Sequence, residues 1–402
     1  MSVLIKDGRV LTLAEGARPR RGGALGVLAA IDGCDVRIEG DRIVEVGCGL
    51  GADGVDRVVE AHGRVVMPAF VDAHTHACWA GDRLDEWELK QKGASYLELL
   101  EAGGGIMSTV RCVREASEAA LGAHLLERLD HMLAEGTCTV EIKSGYGLST
   151  DDELKMLRAI AIAARAWAGT VSMTACIGHA VDGAHKAFVE RTIHETLDAV
   201  HDAFPEATID AYCEQGAWGL DDCIRLFERA KELGHCCRVH ADQFNALGMT
   251  PAAIKLGLRS VDHLEATHST DLRALAESST FGVMLPCSGF QVDGRYADGR
   301  GFVDVGGALV MATNCNPGSA PCSSMPMAIA LAVRELGLTT AEAIGACTAN
   351  AASLLGMGDR GTIEEGARAD VIVLRHRDER MLGYEFGGRA VDVVVCGGVV
   401  RD

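Results

Sequence analysis

Short apolar runs alternate along the middle of the chain with longer segments of helical periodicity. Eight runs of four to eight residues are each followed at once by polar or ionisable residues. These runs cover residues 65–72, 138–142, 171–177, 208–213, 236–239, 258–261, 281–285 and 308–313. Helix-like segments separate most of them, as at 151–167, 219–233 and 269–278. Near-continuous apolar strands that alternate with helices are typical of a parallel sheet covered on both faces.

Eight strand–helix units favour one closed barrel over an open, doubly wound sheet. We therefore predict an α/β fold, a (β/α)8 TIM-type barrel, over residues 65–357. In that fold the active site is built at the carboxyl ends of the strands. Those ends carry polar side chains here almost without exception, so the functional residues are expected there.

The two ends of the chain have a different texture from the middle. Short strand-like pieces interrupted by glycine occur at 2–5, 35–38 and 43–46, and again at 370–374 and 392–400. Two β-rich ends that flank one barrel most simply pair with each other. We predict that residues 1–64 and 358–402 form one small β-sandwich domain.

Composition narrows the range of partners. The 402 residues are 48% hydrophobic and 24% charged, an ordinary globular balance. A net charge of −19, from 38 basic and 57 acidic residues, argues against nucleic acid and against an anionic membrane surface. No stretch reaches the roughly 18 to 20 apolar residues of a membrane span. A small anionic substrate stays compatible with this charge if the pocket holds an arginine.

Fifteen cysteines occur without any Cys-x-x-Cys pair. The first residues also lack the charged segment, apolar segment and cleavage site of a signal peptide. We expect reduced thiols, no disulfide scaffold and a cytoplasmic location.

Histidines mark the ends of several predicted strands. His74 and His76 follow the first run, and residues two apart on a strand point to the same face, so both imidazoles can reach one metal ion. His240 ends the fifth run, and His179 and His263 end two others. One such histidine alone is more often a core or surface residue. Five at the strand ends of one barrel predict a site for one divalent ion, zinc or iron.

Several motifs resemble those of a known enzyme superfamily. Residues 68–76, 316–319 and 366–370 resemble the metal-dependent amidohydrolases. Within that superfamily the chain is similar to the imidazolonepropionase family over nearly its whole length. The motifs that carry this likeness are 93–96, 103–109, 141–147, 178–180, 240–242 and 262–264. The resemblance implies hydrolysis of the lactam C–N bond of an imidazolone ring that bears a carboxylate chain, a step of histidine breakdown.

The resemblance also implies a role for each site residue. The metal ligands it implies are His74, His76, His240 and the last-strand residue Asn314. The residues it places on the substrate are Arg83, Tyr96, Tyr146, His179, Asn316 and Gly318. The catalytic positions are His179, Gln243, His263 and Asn314. A guanidinium and phenols suit the substrate's carboxylate, because the first binds it bidentately and the second donate to it. A homodimer is usual in the family.

Two positions depart from the family pattern. Asn314 stands where an aspartate normally binds the metal and takes a proton from water, and Gln243 stands where a glutamate normally moves protons at the ring. An amide keeps the shape but cannot accept a proton near neutral pH. Three interpretations stay open: a cyclic amidohydrolase, a cyclase, dehydratase or isomerase in the same metal pocket, and a silent ligand-binding protein. Proton transfer by His263, His179, Asp262 or Glu214 is open as well.

Overall fold

The computed structural model describes residues 1–93 and 104–401. Its sixteen strands in the described residues are β1 (Ser2–Leu11), β2 (Ala30–Glu39), β3 (Arg42–Gly47), β4 (Arg57–Glu60), β5 (Val65–Pro68), β6 (Phe70–Asp72), β7 (Thr137–Lys143), β8 (Thr170–Gly178), β9 (Thr208–Cys213), β10 (Cys237–Ala241), β11 (Ser260–His263), β12 (Phe281–Met284), β13 (Leu309–Met311), β14 (Val371–Leu374), β15 (Val391–Cys396) and β16 (Val399–Arg401).

Helices connect the strands of the central part. They span Leu84–Gln91, Ile106–Glu115, Glu118–Ala134, Thr150–Ala166, His185–Arg191, Leu197–Ala203, Leu220–Glu232, Met249–Leu256, Ser269–Glu277, Pro286–Val292, Gly299–Asp304, Met325–Glu335, Thr340–Ala346, Ala349–Leu354 and Met381–Tyr384, with a 3₁₀ helix at Gly22–Gly26 and a π-helical segment at Thr192–Thr196. The long helices predicted at 151–167, 219–233 and 269–278 are present to within two residues at each end.

Strands β6 to β13 form one parallel sheet in the order of the chain. Contacts between its first and last strands bring the edges together. The amide of Asn314 donates to the carbonyl of His74 over 3.1 Å, and the amide of His76 donates to the carbonyl of Cys315 over 2.9 Å. The Thr313 hydroxyl donates to Asp72 over 2.5 Å. The predicted eight-stranded barrel is confirmed.

The first apolar run is two strands rather than one. Strand β5 pairs with β1 and β14 in an outer sheet, whereas β6 pairs with β7 in the barrel. The prediction of one continuous strand over 65–72 is wrong because Pro68, which has no amide hydrogen, ends the outer ladder and the chain changes sheet at Ala69. The division into domains at residues 64 and 358 stays a prediction.

Both ends of the chain form the outer sheet. Its strand order is β16-β15-β14-β5-β1-β2-β3, with β4 beside β1. Apolar residues from these strands, such as Val3, Val36, Val66, Val373 and Val395, form a cluster separate from the barrel core. The ends therefore meet around a core of their own, which confirms the expected β domain.

No helix in the described part of the chain is long and apolar enough to cross a membrane. All fifteen cysteines are free thiols. The cytoplasmic location and the homodimer stay predictions.

Candidate active site

Four of the predicted histidines lie together at the carboxyl end of the barrel. His74, His76, His240 and His263 are each no more than 3% exposed. The ring centroids of His74 and His240 are 4.5 Å apart, those of His76 and His240 5.1 Å, and those of His240 and His263 5.6 Å. The ends of strands β6, β10 and β11 thus bring the four histidines into one cluster.

Hydrogen bonds to carboxylates determine which nitrogens face the cavity. Nδ1 of His74 lies 2.6 Å from Asp262, and Nδ1 of His240 lies 3.1 Å from Asp210. Each Nδ1 therefore carries the proton, and the lone pair is on Nε2. The Nε2 atoms of His76 and His240 are 3.0 Å apart. Among the described residues, Nε2 of His74 and Nδ1 of His76 are buried without a hydrogen-bond partner.

This donor set fits a divalent metal ion. Burial is the largest influence on His74, His76 and His240 and lowers the pKa of each, so all three imidazoles are neutral near pH 7. Neutral imidazole is the form that binds zinc or iron. The three histidines whose ring nitrogens all lie within 4.8 Å of one another are His74, His240 and His263, and His76 joins this group through His240, whose Nε2 lies 3.0 Å from its own. Metal binding explains buried ring nitrogens without partners better than core packing does.

A buried layer of charged side chains lies below the histidines. Lys143 Nζ donates to Glu141 and to Asp210, both over 2.7 Å. Arg238 contacts Asp262 over 2.6 Å and Glu141 over 3.1 Å. Two cations against three carboxylates leave one formal negative charge, which favours a cation above it.

Lys143 keeps its charge despite its burial. Burial and the nearby Arg238 lower the pKa of the Lys143 ammonium, but Asp210, Glu141 and Asp262 outweigh them and the pKa is raised. Sequence reasoning gave Lys143, Glu141, Asp210 and Arg238 no role in the site. The available signal was two charged residues, two positions apart, at the end of an apolar strand.

The two amide positions differ in their surroundings. Asn314 follows β13, is 2% exposed and has a φ of +57°, a left-handed conformation that asparagine tolerates. The backbone carbonyl of Asn314 accepts a hydrogen bond from the Asn316 side chain over 2.6 Å. Gln243 accepts from the Tyr212 hydroxyl over 2.8 Å and its amide nitrogen lies 3.4 Å from the Ser288 hydroxyl. Both residues lie at the barrel mouth, as predicted.

A carboxylate that the sequence reasoning missed lies next to His263. Glu265 lies 3.2 Å from Nδ1 of His263 and lines the same cleft as Gln243 and Ser288. Its other oxygen, Oε2, is buried and has no partner among the described residues. The sequence signal was an acidic residue two positions after a strand-end histidine.

Arg83 lies beside the turn that follows the last strand of the barrel. Its guanidinium binds Glu86 through Nε and Nη2, over 2.7 and 2.6 Å. A Cβ at Gly318 would lie 3.1 Å from Nη1 of Arg83, so the glycine packs closely against it. Asn316 accepts from the amides of Gly318 and Ser319 and so stabilises its own turn. The predicted neighbours Arg83 and Gly318 are therefore together.

Aromatic rings lie against the histidine cluster. His179 stacks on His76 with 4.6 Å between centroids, and Tyr146 lies 5.3 Å from His179. Burial raises the pKa of the Tyr146 phenol, which therefore keeps its proton as a donor. His179 Nδ1 contacts the carbonyl of Gly145 over 3.0 Å, and the φ of +114° at Gly145 favours glycine. The predicted Tyr96 lies outside the described residues.

Two of the alternative proton carriers are occupied by other contacts. Glu214 accepts from the amides of Gln215, Phe244 and Asn245. Asp262 accepts from Arg238 and His74. Of the two histidines among these alternatives, His179 contacts the carbonyl of Gly145 and His263 contacts Glu265, each through Nδ1.

Comparison with known proteins identifies the class of this barrel. The sequence profile described as "Amidohydrolase family" matches residues 65–401, so the chain belongs to the amidohydrolase family. The solved structures that resemble it include a triazine hydrolase variant (TM-score 0.78, 17% identity, 99% of this chain and 94% of that one). Another is the atrazine chlorohydrolase TrzN from Arthrobacter aurescens, complexed with zinc (TM-score 0.75, 18% identity, 99% and 94%). At these identities the likeness is one of fold.

Curated relatives place the chain within that family. The imidazolonepropionase of Herpetosiphon aurantiacus is 44% identical over 98% of this chain and 96% of its own length. That of Deinococcus radiodurans is 40% identical over 94% and 95%. The chain belongs to the imidazolonepropionase family, and the resemblance predicted from its motifs is confirmed. Of the three interpretations left open by the sequence, the comparisons favour the cyclic amidohydrolase.

Proposed function

We propose that this protein opens the lactam ring of 4-imidazolone-5-propionate by hydrolysis, giving N-formimino-glutamate in histidine breakdown. The observation that carries the proposal is the convergence of three buried, neutral imidazoles, two of which have a ring nitrogen without a hydrogen-bond partner among the described residues, within a chain of the imidazolonepropionase family. The ligands of one zinc or iron ion are His74, His76 and His240, with Asn314 beside them. When bound, such an ion supplies Lewis acidity that polarises the lactam carbonyl and activates water.

Arg83 and Tyr146 orient the substrate through its propionate. Glu86 holds the edge of Arg83 formed by Nε and Nη2, so Nη1, which lies against Gly318 and 3.4 Å from the Thr109 hydroxyl, is the nitrogen left for the ligand. Tyr146 adds a phenol donor in a buried site, where a charged hydrogen bond is strong. Tyr96 completes this group by resemblance.

His179 and His263 act at the ring. His179 stacks on His76, so a substrate between the propionate site and the metal ligands passes its ring edge. Nδ1 of His179 donates to the carbonyl of Gly145, so the neutral imidazole offers the lone pair of Nε2, which accepts a hydrogen bond from an N–H of the substrate ring. Glu265 orients His263. Its carboxylate accepts a hydrogen bond from Nδ1, which leaves the lone pair of Nε2 for the histidine cluster.

His263 is the proton carrier of this chain. The amides of Asn314 and Gln243 cannot accept a proton near neutral pH, whereas an imidazole can. His263 takes a proton from the attacking water and returns it to the leaving ring nitrogen, which balances the hydrolysis. General acid–base help is worth about 10²–10⁴-fold, so the assignment is testable by rate.

A proton NMR time course with freshly made imidazolone propionate tests the proposal. Metal-loaded protein is compared with a protein-free sample, since the ring compound is labile, and with His240→Ala as the matched variant. We expect N-formimino-glutamate to appear with the wild type alone. A wild-type spectrum that follows the protein-free sample would contradict the proposal.

A further inference from the structure

Two buried cations lie behind the carboxylates that bind the metal histidines. We propose that Arg238 and Lys143 are positioning residues of the metal centre, acting on His74 through Asp262 and on His240 through Asp210. The inference rests on the proposed function in that it assumes a metal ion at these histidines. It adds the hydrogen-bonded residues that orient Nε2 of His74 and of His240 toward the ion.

The first relay runs from Arg238 to His74. Nη2 of Arg238 donates to Oδ2 of Asp262 over 2.6 Å, and Nδ1 of His74 donates to the same oxygen over 2.6 Å. The Ser260 hydroxyl donates to the other oxygen over 2.5 Å. Arg238 also donates through Nη1 to the carbonyl of Ala73 over 2.8 Å. The guanidinium therefore holds both the backbone before His74 and the acceptor of its ring.

The second relay runs from Lys143 to His240. Lys143 Nζ donates to Oδ2 of Asp210 over 2.7 Å, and Oδ1 of Asp210 accepts from Nδ1 of His240 over 3.1 Å. Glu141 joins the two relays, because one of its oxygens lies 2.7 Å from Lys143 and 3.1 Å from Arg238. The two cations and the two aspartates form one connected layer.

Strand alternation places this layer one level below the imidazoles. Arg238 and His240 are two residues apart on β10 and point to the same face. The side chains of Lys143, Asp210 and Asp262 are 0% exposed and that of Arg238 is 3% exposed. The layer is closed to bulk solvent, so its hydrogen bonds orient the rings.

Stability is a poor explanation for this layer. A buried ion pair is often no more stabilising than apolar side chains of the same volume, because desolvation offsets the attraction. A carboxylate behind a metal histidine, in contrast, fixes the tautomer and the ring angle, and losing it typically weakens metal binding by about 10–100-fold. The cations hold those carboxylates in place through the hydrogen bonds of Arg238 to Asp262 and of Lys143 to Asp210. Positioning of the ligands therefore accounts for the layer.

Metal affinity is the direct test. Dissociation constants for Zn²⁺ are measured by competition with a chromogenic chelator, and Co²⁺ absorption reports the ligand geometry. The variants are Asp262→Asn and Asp210→Asn, with the charge-neutral pairs R238M/D262N and K143M/D210N. The pairs remove a cation and an anion together, so no unpaired buried charge is left to unfold the protein. Unfolding midpoints of the metal-free proteins check the fold.

The matched control is Asp242→Asn. Asp242 is buried near the same strand end, but its carboxylate accepts from the hydroxyls of Thr250 and Thr267 over 2.8 and 2.9 Å. We expect each relay variant to bind Zn²⁺ about 10–100-fold more weakly, with an altered Co²⁺ spectrum, and the control to stay within about threefold of the wild type.

The outcomes separate this inference from the proposed function. Asp262→Asn and Asp210→Asn proteins that bind Zn²⁺ as tightly as the wild type would overturn the inference, whatever the ring-opening activity. A wild type that binds the ion through these relays but does not open the ring would overturn only the proposed function. A wild type that binds neither Zn²⁺ nor Co²⁺ would overturn both.

Discussion

The hydroxyl of Tyr212 donates a 2.8 Å hydrogen bond to the side-chain oxygen of Gln243. This contact distinguishes the oxygen of the Gln243 amide from its nitrogen. The oxygen accepts from the phenol, and the nitrogen lies 3.4 Å from the Ser288 hydroxyl. A glutamate would accept the same bond from Tyr212 and present a second oxygen, a proton acceptor, where Gln243 presents a donor. The surroundings thus suit a carboxylate at this position.

Restoring the two carboxylates is expected to raise the rate of ring opening. Gln243→Glu and Asn314→Asp each return a general base, worth about 10²–10⁴-fold. Initial rates are measured by NMR at equal metal content, with Gln243→Met as a variant that removes the Tyr212 contact without adding a base. A fall in activity of the carboxylate variants would mean that the amides are adaptations to a different reaction.

Arg83→Met is expected to raise KM for the propionate-bearing substrate by roughly tenfold to a hundredfold. A hydrogen bond to a charged group is worth about 1.5–3 kcal/mol, and every 1.4 kcal/mol is a factor of ten. The matched comparison is an imidazolone without the carboxylate, for which wild type and variant are expected to be alike. An equal effect on both compounds would contradict the role given to Arg83.

Glu265→Gln is expected to lower kcat by about 10²-fold or more while metal affinity stays unchanged. Glutamine keeps the size of the side chain but weakens the acceptor for Nδ1 of His263, which lies 3.2 Å away. Glu277→Gln, on the exposed surface of a helix, serves as the control. The Gln243→Glu background adds a second check, because a restored base is expected to make the Glu265 change less costly. A wild-type rate in Glu265→Gln would remove Glu265 from the mechanism.

Metal-free protein is expected to lose stability as the pH falls below about 6.5. Burial lowers the pKa of His74, His76 and His240, and that of His179 to about 3, whereas an unfolded histidine titrates near pH 6.5. The unfolded chain therefore binds more protons below that pH, so stability is present above it and is lost as the solution is acidified.

Buried carboxyl groups act in the opposite direction. Burial raises the pKa of Asp72 to about 7, so its ionisation costs stability as the pH rises from about 4 to 7, and burial also raises the pKa of Glu153, Asp242 and Asp370. We expect the four histidines to outweigh these groups. Urea unfolding at pH 5, 6, 7 and 8 measures the balance; a metal-free protein more stable at pH 5 than at pH 7 would contradict it.

Much of the site followed from local patterns. An apolar run predicts a strand from its own residues, and a histidine at the end of such a run is placed by the barrel rule alone, as His74, His240 and His263 were. At Pro68 the hydropathy of the chain does not reveal where one strand ends and the next begins. The run from 65 to 72 is continuous in hydropathy, yet its strands belong to different sheets, because pairing partners far along the chain decide where each half lies.

Hydrophobic periodicity along this chain was enough to predict the barrel, the β-rich ends and the strand ends that carry the chemistry, because those signals lie within a few neighbouring residues. Periodicity could not predict the tautomers of His74 and His240. Asp262 and His74 are 188 positions apart, and Asp210 and His240 are 30 apart, so only the closed sheet brings each carboxylate to its imidazole. The proton of a buried neutral imidazole lies on the nitrogen that faces the nearest hydrogen-bond acceptor. The distance from that nitrogen to its acceptor is determined only in the folded chain.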